Sequence, residues 1–281
     1  MNKIKKRLRY SYTAAFAGFI FGFDTIVISG VDQKLQDLWQ STDLFHGLVV
    51  IGMALWGTVI GAIFGGLPTN YFGRKKTLLW IGYLYSISAI GSAISSDPIT
   101  FAFFRFIGGV GIGISTIAAP AYISEISAPN ERGKLVGYYQ LNIVVGILFA
   151  FVSNFFLKEL GDSSWRIMVG IEAIPAIIYT VMIMYISQSP RWTYLNGYIA
   201  KSEHIYEELF SNSEKEIFIK EISETKNEFQ KDESIFNIKY RFILYLAFMI
   251  AFFNQFSGIN AFLYYSPRIF QEGGLGENSA F

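Results

Sequence analysis

Four polar side chains, Asn254, Gln255, Ser257 and Asn260, stand in the middle of an apolar segment, in the run FFNQFSGINAFLYYSP. The surrounding segment, Arg241 to Phe270, is long enough to cross a bilayer. An amide without a partner is costly in hydrocarbon, so each needs a neighbouring helix, a cavity or a ligand. A regular helix sets Gln255 and Asn260 about 140° apart, but Ser257 and Gly258 between them can loosen the turn and let both amides look inward. Amides that converge on a cavity suit a hydroxyl-rich solute; amides that face other helices suit the hydrogen bonds that hold a bundle together. Asp24 and Arg105 offer a second chemistry. At ~1.5 Å per residue, Asp24 lies ~21 Å along its span from the inner end and Arg105 ~9 Å into its own from the outer end, which puts both at one depth in ~30 Å of hydrocarbon. A carboxylate and a guanidinium buried at the same height should pair. A permanent pair is structural; one whose partner can be withdrawn is a reversible proton site, because desolvation then favours the neutral acid.

The elements that position these residues are apolar helices. The chain is 52% hydrophobic and 16% charged, with 27 Phe among 281 residues, and its mean hydropathy is +0.36, beyond what a soluble domain of this size tolerates. Spans are expected at about 10–31, 46–67, 77–96, 99–121, 135–157, 166–187 and 241–263, each near the roughly 20 residues that cross a bilayer. Between the sixth and seventh lies 188–240, where EELFSNSEKEIFIKEISETKNEFQKDE alternates charge with spaced Ile, Phe and Leu. That pattern suits short amphipathic helices in water or a flexible linker. Lys3, Lys5, Lys6, Arg7, Arg9, Arg74, Lys75, Lys76, Arg132 and Lys134 fall at alternate ends of the spans, whereas the opposite loops offer little beyond Lys34 and Lys158. The N-terminus is therefore expected in the cytoplasm. The first apolar run is full length and lacks a cleavage pattern, so it should remain as a span. Cysteine is absent, which excludes thiolate chemistry and disulfides. His46 and His204 have no metal-ligand spacing, stand in separate polar stretches and carry no expected role, and no Ser, Asp and His gather as in a nucleophile motif. GGVGIG at 108–113 lies inside a span, where close helix packing accounts for it better than dinucleotide binding. The near-neutral net charge gives no hint of nucleic-acid binding.

The run from Asn254 resembles the seventh transmembrane helix of the sugar porters, a branch of the major facilitator superfamily, with Asn254 and Gln255 where two glutamines are usual. FGFDTIVISG around Asp24 and RFIGGVGIG around Arg105 are similar to proton-coupled members, whereas facilitative relatives usually carry a neutral amide at the Asp24 position. GGLPTNYFGRKK at 65–76 resembles the loop between the second and third helices, with Asn70 and Tyr71 replacing the usual acid and base while Arg74 and Lys75 remain. AAPAYISEISAPNERGK sets Glu125 and Arg132 at the mouth of the fourth and fifth spans. SQSPRWT, with Arg191, is similar to the motif that closes the sixth, with Gln188 where Glu is usual. The resemblance implies that these charges gate the cytoplasmic face; any single arginine is better read as anchoring a helix end, and it is the three motifs in order that favour gating. YYQLNIVVGILFAF is similar to the family's fifth helix, which implies a sugar contact for Gln140. Phe21 offers an aromatic surface beside Asp24, or packs in the core.

The resemblance implies an all-α polytopic membrane protein of the major facilitator fold. It divides into a six-helix N-terminal half (1–187), a cytoplasmic helical region (188–240) and the first helix of an incomplete C-terminal half (241–281). Such transporters have two six-helix halves with substrate between them, so helices eight to twelve would come from outside this sequence. The implied activity is secondary active uptake of a monosaccharide by proton symport through alternating access. A facilitative sugar carrier, a nontransporting sugar sensor and an inactive fragment are the other readings. No enzymatic step, metal or cofactor is expected. The coupling ion is the proton, and the partners are a monosaccharide, the lipid of a plasma (inner) membrane and the missing half.

Overall fold

The computed structural model of the chain describes residues 3–211, 214 and 237–274, and every regular element among them is helical. Seven segments are long and apolar enough to cross a membrane: Lys3–Gly30, Asp43–Phe64, Arg74–Ile94, Pro98–Ile126, Arg132–Leu157, Ser164–Met184 and Ile238–Glu272. They match the seven expected spans in number and order, but several ends differ for local reasons. The first span begins at Lys3, not near residue 10, because Arg7 is buried against Glu131 (3.4 Å) and Glu214 (2.8 Å) with its guanidinium over the Phe210 ring. A charge satisfied in this way lets the helix continue beyond its apolar stretch. The fourth span starts where Pro98 follows the cap residue Asp97, whose carboxylate accepts from the Ile99 and Thr100 amides at 3.1 and 2.9 Å. A proline at the first position gives up only an amide that would lack a partner anyway. This helix runs on to Ile126, which brings Glu125 to its C-terminal end.

The first span packs on the fifth, the second on the fourth, the third on the fourth and sixth, and the first also touches the fourth and sixth. Exchanging each helix with the one three places along maps this pattern onto itself, as expected of two inverted three-helix repeats. Small residues permit the closest approaches. A Cβ on Gly109 would lie 2.0 Å from the Ala54 carbonyl oxygen, and one on Gly113 2.2 Å from that of Thr58. The GGVGIG stretch is thus a packing surface, Gly109 and Gly113 facing the second span and Gly108 and Gly111 the third.

Two spans are broken near mid-membrane. The sixth consists of Ser164–Gly170 and Ala173–Met184, with Ile171 and Glu172 between them. Pro175 stands four residues after Ile171 and cannot donate to its carbonyl, which releases the turn. The seventh consists of Arg241–Phe256 and Ile259–Glu272, hinged at Ser257 and at Gly258 with φ +73°. That left-handed conformation is one glycine adopts without strain. Of the region 188–240, Pro190–Leu195 and Ile199–Leu209 are helical, and the latter packs against the first span. Most of the amphipathic stretch expected after Glu207 lies outside the described residues.

Candidate transport site

The first span carries Asp24 and the fourth carries Arg105, each about 1% exposed. Arg105 Nη1 donates to Asp24 Oδ1, and its Nη2 donates to the Asp24 backbone carbonyl at 3.2 Å. The depth arithmetic thus finds its geometric counterpart. A third ionisable group belongs to the same cluster and was missed in the sequence. Glu172, at the break of the sixth span, is 1% exposed and interacts electrostatically with both Asp24 and Arg105. Neither of its carboxylate oxygens, nor Asp24 Oδ2, has a hydrogen-bond partner among the described residues. A carboxylate six residues into the expected sixth span was a signal in its own right. Glu172 thus adds a second carboxylate near the Asp24–Arg105 pair, and the three groups together are electrically neutral only with one proton aboard.

The hinge of the seventh span brings two expected amides together. Asn260 Nδ2 donates to Gln255 Oε1 at 2.8 Å across Ser257 and Gly258, closing the angle that a regular helix would open between them. Asn254 lies beside them, its carbonyl accepting from the Ser257 hydroxyl at 2.6 Å. Asn254 and Gln255 are exposed and Asn260 half-buried, and Gln140 is exposed on the fifth span. Phe21 is half-buried against the main apolar core, and its carbonyl accepts from Thr25.

At the span ends expected to face the cytoplasm, Arg74 pairs with Glu125 at 2.9 Å, joining the third span to the fourth, and also donates to the Thr69 carbonyl at 3.1 Å. Lys75 reaches the Met184 carbonyl at 2.9 Å, and its backbone amide donates to Gln188 Oε1 at 2.8 Å. Arg132 donates to the Ser124 carbonyl at 3.2 Å. Arg191 lies in the short helix Pro190–Leu195, half-buried. Gly73, with φ +81°, lets the loop turn tightly under Gln188 and Trp192. Most of these positions therefore tie neighbouring helices of one half together. His46 corrects the expectation of a histidine without a role in a polar stretch. It is 2% exposed at the start of the second span and bonded to Asp32. The pairing escapes notice in the sequence because the two residues come from different helices.

Residues 10–281 match the family model described as "Sugar (and other) transporter". The chain is 32% identical to the arabinose-proton symporter of Bacillus subtilis over 96% of its own length and 60% of that protein's. It is 30% identical to the D-xylose-proton symporter of Escherichia coli, over 95% and 61%. Among solved structures, the proton:xylose symporter XylE, described as a major facilitator superfamily protein, superposes with a TM-score of 0.83 at 27% identity. That match covers 98% of this chain and 65% of that one. The chain thus spans about 60% of the length of the curated relatives it matches. With seven membrane-crossing helices in the XylE arrangement and a family match over nearly its whole length, this integral multi-pass membrane chain belongs to the sugar porter family of the major facilitator superfamily.

Proposed function

We propose that these residues form the N-terminal six-helix half, the cytoplasmic helices and the first helix of the second half of a proton-coupled monosaccharide symporter. It works by alternating access in a plasma (inner) membrane, with its N-terminus in the cytoplasm. The observation that carries this reading is the buried Asp24–Arg105 pair with Glu172 beside it. A cluster with one more carboxylate than guanidinium must take up a proton or bear a net charge in hydrocarbon, and it changes between these states when Arg105 moves. Gln140, Gln255, Asn254 and Asn260 supply amides of the kind that bind sugar hydroxyls, with Phe21 as an aromatic neighbour of Asp24. Arg74, Lys75, Glu125, Arg132 and Arg191 form the cytoplasmic contacts that rearrange as the halves rock. Sugar and proton release are linked because both depend on the same rocking equilibrium.

Asp24→Asn in the full-length protein tests the coupling. Neutralising the group keeps the cavity, so uptake against a sugar gradient should be lost while exchange and downhill flux persist. Undiminished accumulation by the mutant, or parental uptake indifferent to an imposed pH gradient, would favour the facilitative reading instead.

A further inference from the structure

A second polar cluster lies at the other end of the molecule's core from the cytoplasmic contacts, and transport as proposed above makes no use of it. Asp32, just beyond the first span, is 2% exposed and shares its carboxylate between two cations or potential cations. Its Oδ1 lies 2.9 Å from His46 Nε2, at the start of the second span, and its Oδ2 lies 3.8 Å from Arg268 Nη1, on the seventh. That second oxygen has no hydrogen bond among the described residues, so Arg268 holds it through charge alone. His46 Nδ1 sits 3.1 Å from Ser41 Oγ, a hydroxyl that can donate to it and so leave the ring proton on the nitrogen facing Asp32. Arg268 also donates to Gln36 Oε1 at 3.1 Å and lies 3.6 Å from Glu272. The crevice between these elements is lined in addition by Asp43, which accepts from Gln36, and by Tyr265.

We propose that Asp32, His46 and Arg268 form an outer latch between the six-helix half and the seventh span, closed while His46 is neutral and released when it is protonated. With a neutral imidazole, Asp32 and Arg268 attract each other as a simple ion pair. A proton on His46 places a second positive charge against the same carboxylate, nearer than Arg268, which both satisfies Asp32 and repels the guanidinium. Histidine is the side chain whose charge changes closest to neutral pH. The remaining acids do not substitute for Asp32. Asp43 stays with the His46 side through Gln36, whose neutral bond from Arg268 opens together with the ion pair, and Glu272 travels on the same half-helix as Arg268. That half-helix follows the Gly258 hinge, so it can swing while Arg241–Phe256 stays in place. The latch rests on the transport reading for its purpose, though not for its geometry.

In the full-length protein, cysteine-free over these 281 residues and with any further cysteines replaced, paired spin labels at Leu44→Cys and Gln271→Cys report the distance distribution in lipid vesicles at about pH 8 and about pH 5. A short distance should dominate at the higher pH, and the long-distance population should grow about threefold or more at the lower. His46→Gln can still hydrogen-bond Asp32 but cannot titrate, and should keep the short distance at both values. Arg268→Gln should show the long distance at both. A pH response that survives unchanged in His46→Gln, no response in the unsubstituted background, or a closed Arg268→Gln protein would each overturn the latch. A pH-driven distance change in a protein that moves no sugar would sink the transport reading and leave the latch standing; sugar flux with distances blind to pH would do the reverse.

Discussion

Gln255 and Asn260 spend one donor and one acceptor on each other and keep further hydrogen-bonding capacity on both amides. If that capacity, with that of Gln140, serves a sugar, then Gln255→Ala and Gln140→Ala should each weaken binding by roughly 1–3 kcal/mol, about 5- to 150-fold. Equilibrium binding in the full-length protein, with membrane insertion checked, is the measurement; parental affinity in both mutants would return the amides to helix packing. The residues differ in how openly the sequence announced them. Asp24 and Arg105 were legible because rise per residue converts position into depth, and two opposite charges at one depth have few alternatives to pairing. Glu172 obeys the same arithmetic, but only the break before Pro175 shows that its side chain joins them. His46 could not be placed from spacing at all, since its partner Asp32 is brought to it by the turn between two helices.

Hydrophobic length identified every crossing helix among the described residues, but it places neither the ends, which caps and side-chain partners set, nor the breaks, which Pro175 and Gly258 set. Arg7 extends the first span because Glu131 and Glu214, distant in sequence, converge on it. The glycine-rich stretch of the fourth span was read correctly as a packing face, and it carries a stability prediction. Gly109→Ala puts a methyl 2.0 Å from the Ala54 carbonyl oxygen, so the second and fourth helices must part. Overpacking of this kind costs about 1–3 kcal/mol. Gly133→Ala meets no atom within 4 Å and serves as the control. Thermal unfolding in detergent should show a clear drop in midpoint for Gly109→Ala and little change for Gly133→Ala. Equal midpoints would mean that the helices are not held at this separation.

At the scale of the molecule, the helix Ile199–Leu209 is fastened to the first span through Glu208. Burial alone would raise the Glu208 carboxyl, but hydrogen bonds from Lys6, Tyr10 and Ser187 outweigh it and hold the group below its usual range. A carboxylate depressed on folding contributes stability that is fully present above its unfolded value, about 4.3, and is lost as pH falls through the lower folded value. Amide exchange in Ile199–Leu209 should therefore be constant from about pH 8 to pH 5 after correction for intrinsic rates, and Glu208→Gln should loosen the helix throughout that window. Unaltered protection in the mutant would show that apolar contacts of Ile205, Tyr206 and Leu209 suffice. The Gly258 hinge has a mechanical consequence of its own. Arg268 stands ten residues beyond the pivot, past a further kink at Tyr265, so its lever arm is at most ~15 Å at helical rise. A swing of ~10° about Gly258 carries the guanidinium up to ~2.6 Å, so a small angular play at mid-membrane is geared up into the opening of its contact with Asp32 near the surface.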